Sequence, residues 1–122
     1  MESILVIDDD ISVCNALKEE LSEVGYDVQC LYDGSSAAEF LLNNPVDLVL
    51  LDLKMPGKDG FEVLKEINQQ KVKPKIIVLT AYADVKSAID SAKMGASDFI
   101  SKPYDFDELL ITIRKVIQKD GE

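Results

Sequence analysis

The chain has 122 residues, of which 47% are hydrophobic and 30% charged, a balance that predicts one folded domain over residues 1–122 and excludes a disordered chain. Asp and Glu number 23 against 13 Lys and Arg, and the resulting net charge of -10 argues against nucleic-acid binding by this domain. No apolar run approaches the roughly 18 to 20 residues that span a bilayer, and no signal-peptide pattern opens the chain, so we expect a soluble cytoplasmic protein without membrane contact.

Short apolar runs alternate along the chain with amphipathic stretches about twice their length. This alternation is typical of βα units that build a parallel sheet, and five such units follow one another. The predicted strands cover residues 4–7, 27–32, 47–51, 75–80 and 97–101. The predicted helices lie near residues 11–24, 36–43, 60–70, 85–94 and 106–118.

Polar residues and one glycine mark the ends of the predicted helices. The first helix carries an apolar stripe that ends at Gly25, a residue suited to a left-handed C-terminal cap. That stripe consists of Val13, Leu17, Leu21 and Val24. The predicted N-terminal caps are Asp10, Ser36, Asp84 and Asp105, and Glu39 and Glu108 follow Ser36 and Asp105 at capping-box spacing.

The composition of the strands predicts their order in the sheet. Strands 4–7, 47–51 and 75–80 are apolar on both faces, as strands between two helix layers must be. Strands 27–32 and 97–101 are mixed in polarity, which favours the two edges. The pattern therefore predicts a doubly wound (βα)5 α/β fold of the flavodoxin-like class, with parallel strand order 2-1-3-4-5. Ligands of such sheets bind beyond the carboxyl ends of the strands, here between strands 1 and 3.

Polar and charged residues stand at the carboxyl ends of four of these strands. They are Asp8, Asp9 and Asp10 after the first strand, Asp52 after the third, Thr80 after the fourth and Lys102 after the fifth. The strand order brings them to one pocket. Several carboxylates held close together raise one another's pKa unless a cation neutralises them. With oxygen ligands alone on offer, and room for water, the predicted metal is Mg²⁺.

Some of these residues also have a purely structural interpretation. Acidic residues at strand ends often cap the next helix, and we assign Asp10 to that role alone. Asp52 is harder to explain as a cap, because it ends the most apolar strand and precedes the turn Met55-Pro56-Gly57. Lys102 could be an ordinary surface lysine, but Lys102-Pro103 follows a strand that runs toward the same pocket.

The chain has no histidine and two cysteines, Cys14 and Cys30, without a Cys-x-x-Cys motif. Thiolate–imidazole zinc sites and histidine-dependent nucleophilic catalysis are therefore excluded. We expect both cysteines to be small, reduced core residues rather than a disulfide, as is usual in a reducing cytoplasm.

The motifs at the strand ends resemble the receiver domain of two-component response regulators. They run through residues 4–10 (Ile-Leu-Val-Ile-Asp-Asp-Asp), 47–60, 78–82 and 95–103, which covers essentially the whole chain. The site and its spacing are similar to the single-domain sporulation phosphorelay regulator, and residues 93–102 to nitrogen-regulator-type receivers. The chain is either a stand-alone regulator or the receiver of a longer protein, and both possibilities stay open.

The resemblance implies a role for each pocket residue. Asp52 matches the phosphoacceptor, which takes a phosphoryl group from a histidine of a sensor kinase or a histidine phosphotransferase. Asp9, Asp52 and the backbone carbonyl of Lys54 match the Mg²⁺ ligands, and Asp8 acts mostly through metal-bound water. Such a domain is a phosphoacceptor signalling module rather than an enzyme, since it catalyses its own phosphorylation and slow dephosphorylation alone.

Further residues of the pocket match the family's charge-neutralising and switch positions. Thr80 and Lys102 neutralise the phosphoryl oxygens, and the Lys102-Pro103 peptide bond is cis in the family. Thr80 is expected to turn toward the phosphoryl group and Phe99 to move inward. These movements change the face made by helix 4, strand 5 and helix 5, through which the domain signals to an output domain or a dimer partner.

Two groups of residues match positions that set phosphate lifetime and partner docking in the family. Lys54 and Tyr82 stand where side chains shield the acyl phosphate from water, so we expect slow self-hydrolysis. The kinase or phosphotransferase docks in the family on helix 1 and the loop after strand 5. Those positions are Val13, Ala16, Pro103 and Tyr104, with Pro103 and Tyr104 expected to be exposed.

Three other functions are compatible with parts of the sequence. A Mg²⁺-dependent haloacid-dehalogenase-type phosphatase would use Asp8-x-Asp10, but that assignment leaves Asp52 unexplained and the chain lacks a substrate-capping insertion. A flavodoxin-like electron carrier needs a hydroxyl- and glycine-rich phosphate loop where this chain has three aspartates. A pseudo-receiver that acts by binding alone would have no need of Asp9, Asp52, Thr80 and Lys102 together.

Overall fold

The structure is a computed structural model that describes residues 1–81 and 83–118. Strands and helices alternate along it, and each predicted element is found with its ends within two residues of the prediction. The strands are β1 (Ser3–Ile7), β2 (Asp27–Leu31), β3 (Leu48–Leu51), β4 (Lys75–Thr80) and β5 (Asp98–Ser101). The helices are α1 (Ile11–Glu23), α2 (Ala37–Asn43), α3 (Gly60–Asn68), α4 (Val85–Lys93) and α5 (Phe106–Gln118).

The five strands form one parallel sheet in the order β2-β1-β3-β4-β5. This confirms the predicted doubly wound, flavodoxin-like fold and places β2 and β5 at the edges. The register sets Ile7 opposite Leu51, and Leu51 opposite Val78. Because the next residues along β1 and β3 are Asp8 and Asp52, the pairing brings their carboxylates side by side.

Helices cover both faces of the sheet and enclose two apolar cores. Side chains alternate along β1: Ile4 and Val6 face the core under α1 and α5, and Leu5 and Ile7 face the core under α2 and α3. All four are buried. The central strands are thus apolar on both faces because a helix layer removes water from each face.

The helix caps follow the sequence signals with two exceptions. The carboxylates of Asp10, Asp84 and Asp105 accept backbone N–H bonds in the first turns of α1, α4 and α5, and Gly25 has a φ of +100° after α1. Ser36 precedes α2 but makes no side-chain cap bond. Val24, predicted as the last residue of the apolar stripe, is 41% exposed because α1 ends at Glu23. The residues that α1 buries are Cys14, Leu17 and Leu21.

Both cysteines are free thiols, as expected, with Cys14 buried and Cys30 half-buried. Among the described residues, none of the helices is long and apolar enough to cross a bilayer. Helix α4 differs from the others in what it buries. Its two buried residues are Ser87 and Ser91.

Candidate functional site

The backbone carries the pocket residues past the ends of their strands in register. The amide of Asp52 donates to the carbonyl of Ile7 at 3.0 Å, which continues the pairing of β1 and β3 by one residue. The amide of Lys102 donates to the carbonyl of Thr80 at 2.9 Å, which does the same for β4 and β5. These two bonds join the ends of β1 and β3 and the ends of β4 and β5, and the pairing of β3 with β4 connects the two pairs.

Asp52 lies at the boundary of the core, with 7% of its surface exposed. Both oxygens of its carboxylate accept hydrogen bonds. Its Oδ1 accepts hydrogen bonds from the hydroxyl of Thr80 at 2.7 Å and from the amide of Lys54 at 3.2 Å. Its Oδ2 accepts from the ammonium of Lys102 at 3.3 Å. The carboxylate thus has a fixed orientation and a cation beside it, which suits an oxygen nucleophile.

Asp8 is even more buried, with 2% of its surface exposed. Its Oδ2 accepts from the ammonium of Lys102 at 2.6 Å, and its Oδ1 accepts from the amide of Asp10 at 2.9 Å. Burial raises the pKa of Asp8, and the bond from Lys102 opposes that effect without cancelling it. Burial also disfavours the charged form of Lys102, but the hydrogen bond and charge of Asp8, followed by the charge of Asp52, outweigh burial and raise the pKa of Lys102.

Three carboxylates lie close enough together to hold a metal ion. One oxygen each from Asp8, Asp9 and Asp52 lies within 4.8 Å of the others. With all three ionised, the ammonium of Lys102 compensates one of three negative charges, so the group favours a bound divalent cation. Asp9 is exposed, which leaves a solvent side for the water ligands that Mg²⁺ retains. The donor set therefore fits Mg²⁺.

A small cavity adjoins the carboxylate of Asp52. It has a volume of about 230 Å³ and is lined by Asp52, Lys54, Thr80 and Ala81. A water molecule takes about 30 Å³ in the liquid, so the cavity has room for a phosphoryl group and several waters. The side chain of Lys54 is exposed at its edge. Tyr82, the other predicted lifetime residue, lies outside the described residues.

Asp10 caps α1 and takes no part in the carboxylate group. Its Oδ1 accepts from the amide of Ser12 at 3.0 Å, from the hydroxyl of Ser12 at 2.6 Å and from the amide of Val13 at 3.3 Å. This confirms the prediction that Asp10 is a helix cap. It also weakens the phosphatase alternative, because Asp8-x-Asp10 would need both carboxylates in the pocket.

The two predicted switch residues lie on adjacent strands. Thr80 is fully buried, and its hydroxyl donates to Oδ1 of Asp52. Its turn toward the phosphoryl group on phosphorylation stays a prediction. Phe99 is half-buried in β5. Its neighbour Ile100 packs against the core under α1 and α5, so Phe99 faces the opposite side of the sheet, next to α4.

Three of the four predicted docking residues line one cavity beside Lys102. Its volume is about 370 Å³, and its walls are Val13, Ala81, Lys102, Pro103 and Tyr104. Ala16 is exposed on α1 but does not line it. The Lys102-Pro103 peptide bond is cis, as the resemblance implied.

The expectation of an exposed Pro-Tyr pair is wrong for its second member. Pro103 is exposed, but Tyr104 is half-buried against the core under α1 and α5, and its hydroxyl donates to Oε1 of Glu20 at 2.7 Å. Sequence reasoning missed Glu20. The available signal was its position seven residues after Val13, which places both on one side of α1.

Gly60 is a second position that sequence reasoning missed. A Cβ atom at Gly60 would collide with the carbonyl oxygen of Asp52 and the Cα atom of Leu53. The amide of Gly60 also donates to the carbonyl of Leu53 at 2.8 Å. Helix α3 therefore begins in backbone contact with the segment that carries Asp52, and only glycine permits that approach.

Comparison with known proteins extends this picture. The family model described as "Response regulator receiver domain" matches residues 4–114. The chain is 37% identical to the response regulator ArlR of Staphylococcus saprophyticus over 122 residues, which cover 100% of this chain and 55% of that protein. It is 40% identical to the transcriptional regulatory protein ZraR of Escherichia coli over 114 residues, which cover 93% of this chain and 26% of that protein. The chain thus spans about half, or less, of the length of these relatives.

Solved structures show the same similarity in three dimensions. The response regulator protein TrrA from Thermotoga maritima, solved in complex with Mg(2+)-BeF, superposes with a TM-score of 0.85 at 40% identity over 95% of this chain and 99% of that chain. The BeF3-activated receiver domain of RstA from Klebsiella pneumoniae superposes with a TM-score of 0.90 at 31% identity over 96% of this chain and 99% of that chain.

Proposed function

The chain belongs to the response regulator receiver domain family, and on this premise we propose that Asp52 accepts a phosphoryl group from a phosphohistidine. The donor is a sensor histidine kinase or a histidine phosphotransferase. One observation carries the proposal: the buried carboxylate of Asp52 contacts the ammonium of Lys102 and the hydroxyl of Thr80 and lies within reach of two further carboxylates. Acceptor, charge-neutralising groups and metal ligands thus share one pocket.

Asp52 supplies the nucleophile. An oxygen of its carboxylate forms a bond to phosphorus while the bond between phosphorus and the donor's imidazole nitrogen breaks. The imidazole keeps the electron pair of that bond and takes a proton from solvent. The product is an acyl phosphate on Asp52. The hydrogen bonds from Thr80 and Lys54 keep the carboxylate oriented before the transfer.

Lys102 and Thr80 act on the charge of the phosphoryl group. In phosphoryl transfer the protein mostly positions groups and stabilises charge on the three equatorial oxygens. The ammonium of Lys102 already lies 3.3 Å from Oδ2 of Asp52, and the hydroxyl of Thr80 lies 2.7 Å from Oδ1. Both groups can move their hydrogen bonds from the carboxylate to the phosphoryl oxygens with little displacement.

Receiver domains bind Mg²⁺ in their acidic pocket, and this chain offers Asp9, Asp52 and the carbonyl of Lys54 as direct ligands. Asp8, which is paired with Lys102, would contribute through water on the metal. When bound, the ion would neutralise negative charge on the phosphoryl oxygens. Removal of the ion with EDTA should therefore abolish phosphorylation while the fold stays intact.

Output is proposed to pass through α4, β5 and α5 to an output domain or a partner molecule. Large apolar side chains are exposed on both helices, with Val85 at 76%, Ile89 at 49% and Ile111 at 66%. Large exposed apolar side chains are typical of contact surfaces, and Val85 and Ile89 lie one turn apart on α4. Phe99 lies on the side of β5 that faces α4, so an inward movement of its ring would change how α4 packs.

The lifetime of the acyl phosphate is proposed to be long. The side chain of Lys54 stands at the edge of the cavity beside Asp52, and Tyr82 is its expected partner in shielding the phosphate from water. A time course after removal of the phosphodonor tests this, because loss of the phosphate within seconds would contradict it.

The deciding experiment is intact mass after incubation with Mg²⁺ and acetyl phosphate. We expect the wild type to gain one phosphoryl group, and Asp52→Ala or the EDTA-treated protein to gain none. Asp107→Ala is the matched control, because it removes an exposed carboxylate of α5 outside the pocket and should leave the gain unchanged. No gain in the folded wild type would favour a pseudo-receiver that acts by binding alone.

A further inference from the structure

One hydrogen bond ties the loop that carries Lys102 to helix α1. The hydroxyl of Tyr104 donates to Oε1 of Glu20 at 2.7 Å, between residues 84 positions apart. Tyr104 stands two residues after Lys102, between β5 and α5, and Glu20 lies in α1, which follows the aspartates at the end of β1. The bond therefore joins the two segments that bring the ammonium and the carboxylates to the pocket.

The surroundings of Tyr104 keep this bond formed. Its ring packs against the core under α1 and α5, and it shares the wall of the cavity beside Lys102 with Val13. Burial, followed by the hydrogen bond and charge of Glu20, raises the pKa of Tyr104 above its ordinary value. The phenol therefore remains a neutral donor at physiological pH, and a bond between a neutral donor and a carboxylate is among the stronger kinds.

Lys102 needs such support because its side chain is long and flexible. A lysine ammonium is a point charge on four methylene groups, so its position depends on where its backbone is held. On one side of Lys102 the backbone is fixed by the bond from its amide to the carbonyl of Thr80. On the other side, Tyr104 is the next residue with a side-chain bond to a different element of the fold.

We propose that Tyr104 and Glu20 are positioning residues for the phosphorylation of Asp52. Their hydrogen bond holds residues 102–104 so that the ammonium of Lys102 lies between Asp8, at 2.6 Å, and Asp52, at 3.3 Å. Neither residue touches the reacting atoms. The inference rests on the proposed function, because it assigns these residues a part in the same reaction.

The test compares rates of phosphorylation by acetyl phosphate in Mg²⁺. Tyr104→Phe keeps the ring and removes the hydroxyl, and Glu20→Ala removes the acceptor. Each should slow phosphorylation on the order of tenfold, because small displacements of a charge-stabilising group are costly in rate. The double variant should be no slower than either single variant, since both remove the same bond. Glu20→Gln keeps an acceptor oxygen and should restore much of the rate.

Tyr26→Phe is the matched control. Tyr26 is half-buried against the same core, and its hydroxyl has no hydrogen bond within the described part of the chain. Its variant should therefore phosphorylate at the wild-type rate. An unchanged rate in folded Tyr104→Phe, or an equal loss in Tyr26→Phe, would overturn the proposal.

Two further measurements separate positioning from a general effect on the fold. In ¹⁵N NMR spectra, Tyr104→Phe should shift or broaden the ammonium signal of Lys102 and leave the amide signals of β1 and β3 in place. Added to Lys102→Ala, Tyr104→Phe should slow the residual rate no further. If it does slow that rate, Tyr104 acts through the fold and the inference is wrong. If the wild type is not phosphorylated at all, the proposed function fails, while the ammonium signal still reports whether Tyr104 positions Lys102.

Discussion

Helices α3 and α4 are alike in local design and opposite in what they bury. Each has nine residues, an aspartate whose carboxylate caps the first turn, and a lysine in the last turn. Helix α3 buries Gly60, Val63, Leu64 and Ile67, and helix α4 buries Ser87 and Ser91. Helix α3 is therefore held by apolar burial, worth about 25 cal/mol per Å², whereas α4 has little of it.

This difference matches the proposed roles of the two regions. Helix α3 begins in backbone contact with the segment of Asp52, where any displacement would disturb the phosphorylation pocket. Helix α4 packs beside β5, on the side that Phe99 faces, where the proposed output requires a displacement. A helix held by small side chains can take a second position at lower cost, because fewer apolar contacts are lost when it moves.

The largest expected effect is the loss of a large side chain from α3. Leu64 is fully buried, so Leu64→Ala should lower the free energy of unfolding by about 2 to 5 kcal/mol through lost burial and the cavity left behind. Urea denaturation followed by circular dichroism measures it. A loss below about 1 kcal/mol would show that α3 is not held as its burial indicates.

Next in size is the difference in local opening of the two helices. Amides of α4 should exchange with solvent at least about tenfold faster than those of α3, because segments with few buried apolar contacts open without global unfolding. Native-state hydrogen exchange at pH 7 measures the ratio. Equal protection of the two helices would remove the basis of the comparison.

Loss of the N-terminal cap should affect hydrogen exchange differently in the two helices. This effect should be smaller than the difference in local opening. Asp84 accepts from the amide of Ser87 at 2.6 Å, and Asp59 accepts from the amide of Glu62 at 3.0 Å. We expect Asp84→Ala to speed exchange along all of α4, since little else holds that helix. Asp59→Ala should loosen the first turn of α3 alone. Similar patterns in both helices would contradict this.

The cap of α4 also predicts a pH dependence. The backbone bond from Ser87, followed by the Ser87 side chain, lowers the pKa of Asp84 below its ordinary value of 3.8. Because the pKa of Asp84 is lower in the folded than in the unfolded state, the stabilisation from this cap is fully present above pH 3.8. It is lost as the pH falls through the lower pKa of the folded state. Asp84→Asn keeps an acceptor without a titrating group, so the stability difference between wild type and variant should shrink from pH 6 to pH 3.

The smallest effect is expected for a serine of α4. The hydroxyl of Ser91 donates to the carbonyl of Ala88 in the same helix at 3.1 Å, so its removal breaks a hydrogen bond within α4. Ser91→Ala should change the free energy of unfolding by no more than about 0.5 kcal/mol, in either direction, although Ser91 is as buried as Leu64. Urea denaturation beside Leu64→Ala gives the direct contrast.

Much of the fold and site could be read from the sequence because the signals are local or periodic. The runs at 4–7, 47–51 and 75–80 are apolar on both faces, which identifies central strands wherever the chain places them. Asp8, Asp9, Asp52 and Lys102 follow a strand and Thr80 ends one, so the strand order alone brought them to one pocket. The caps at Asp10 and Asp84 depend on bonds within three residues of themselves.

Only the tertiary structure decided which neighbours each side chain meets. That serines rather than Val85 and Ile89 face the sheet, that Tyr104 bonds to Glu20, and that Gly60 leaves no room for a Cβ atom depend on contacts between distant segments. Such contacts leave no periodic trace in the sequence, because they involve single residues on elements whose rotation and spacing are set by packing. The sequence determined the elements and the chemistry at their ends, and packing determined how firmly each element is held.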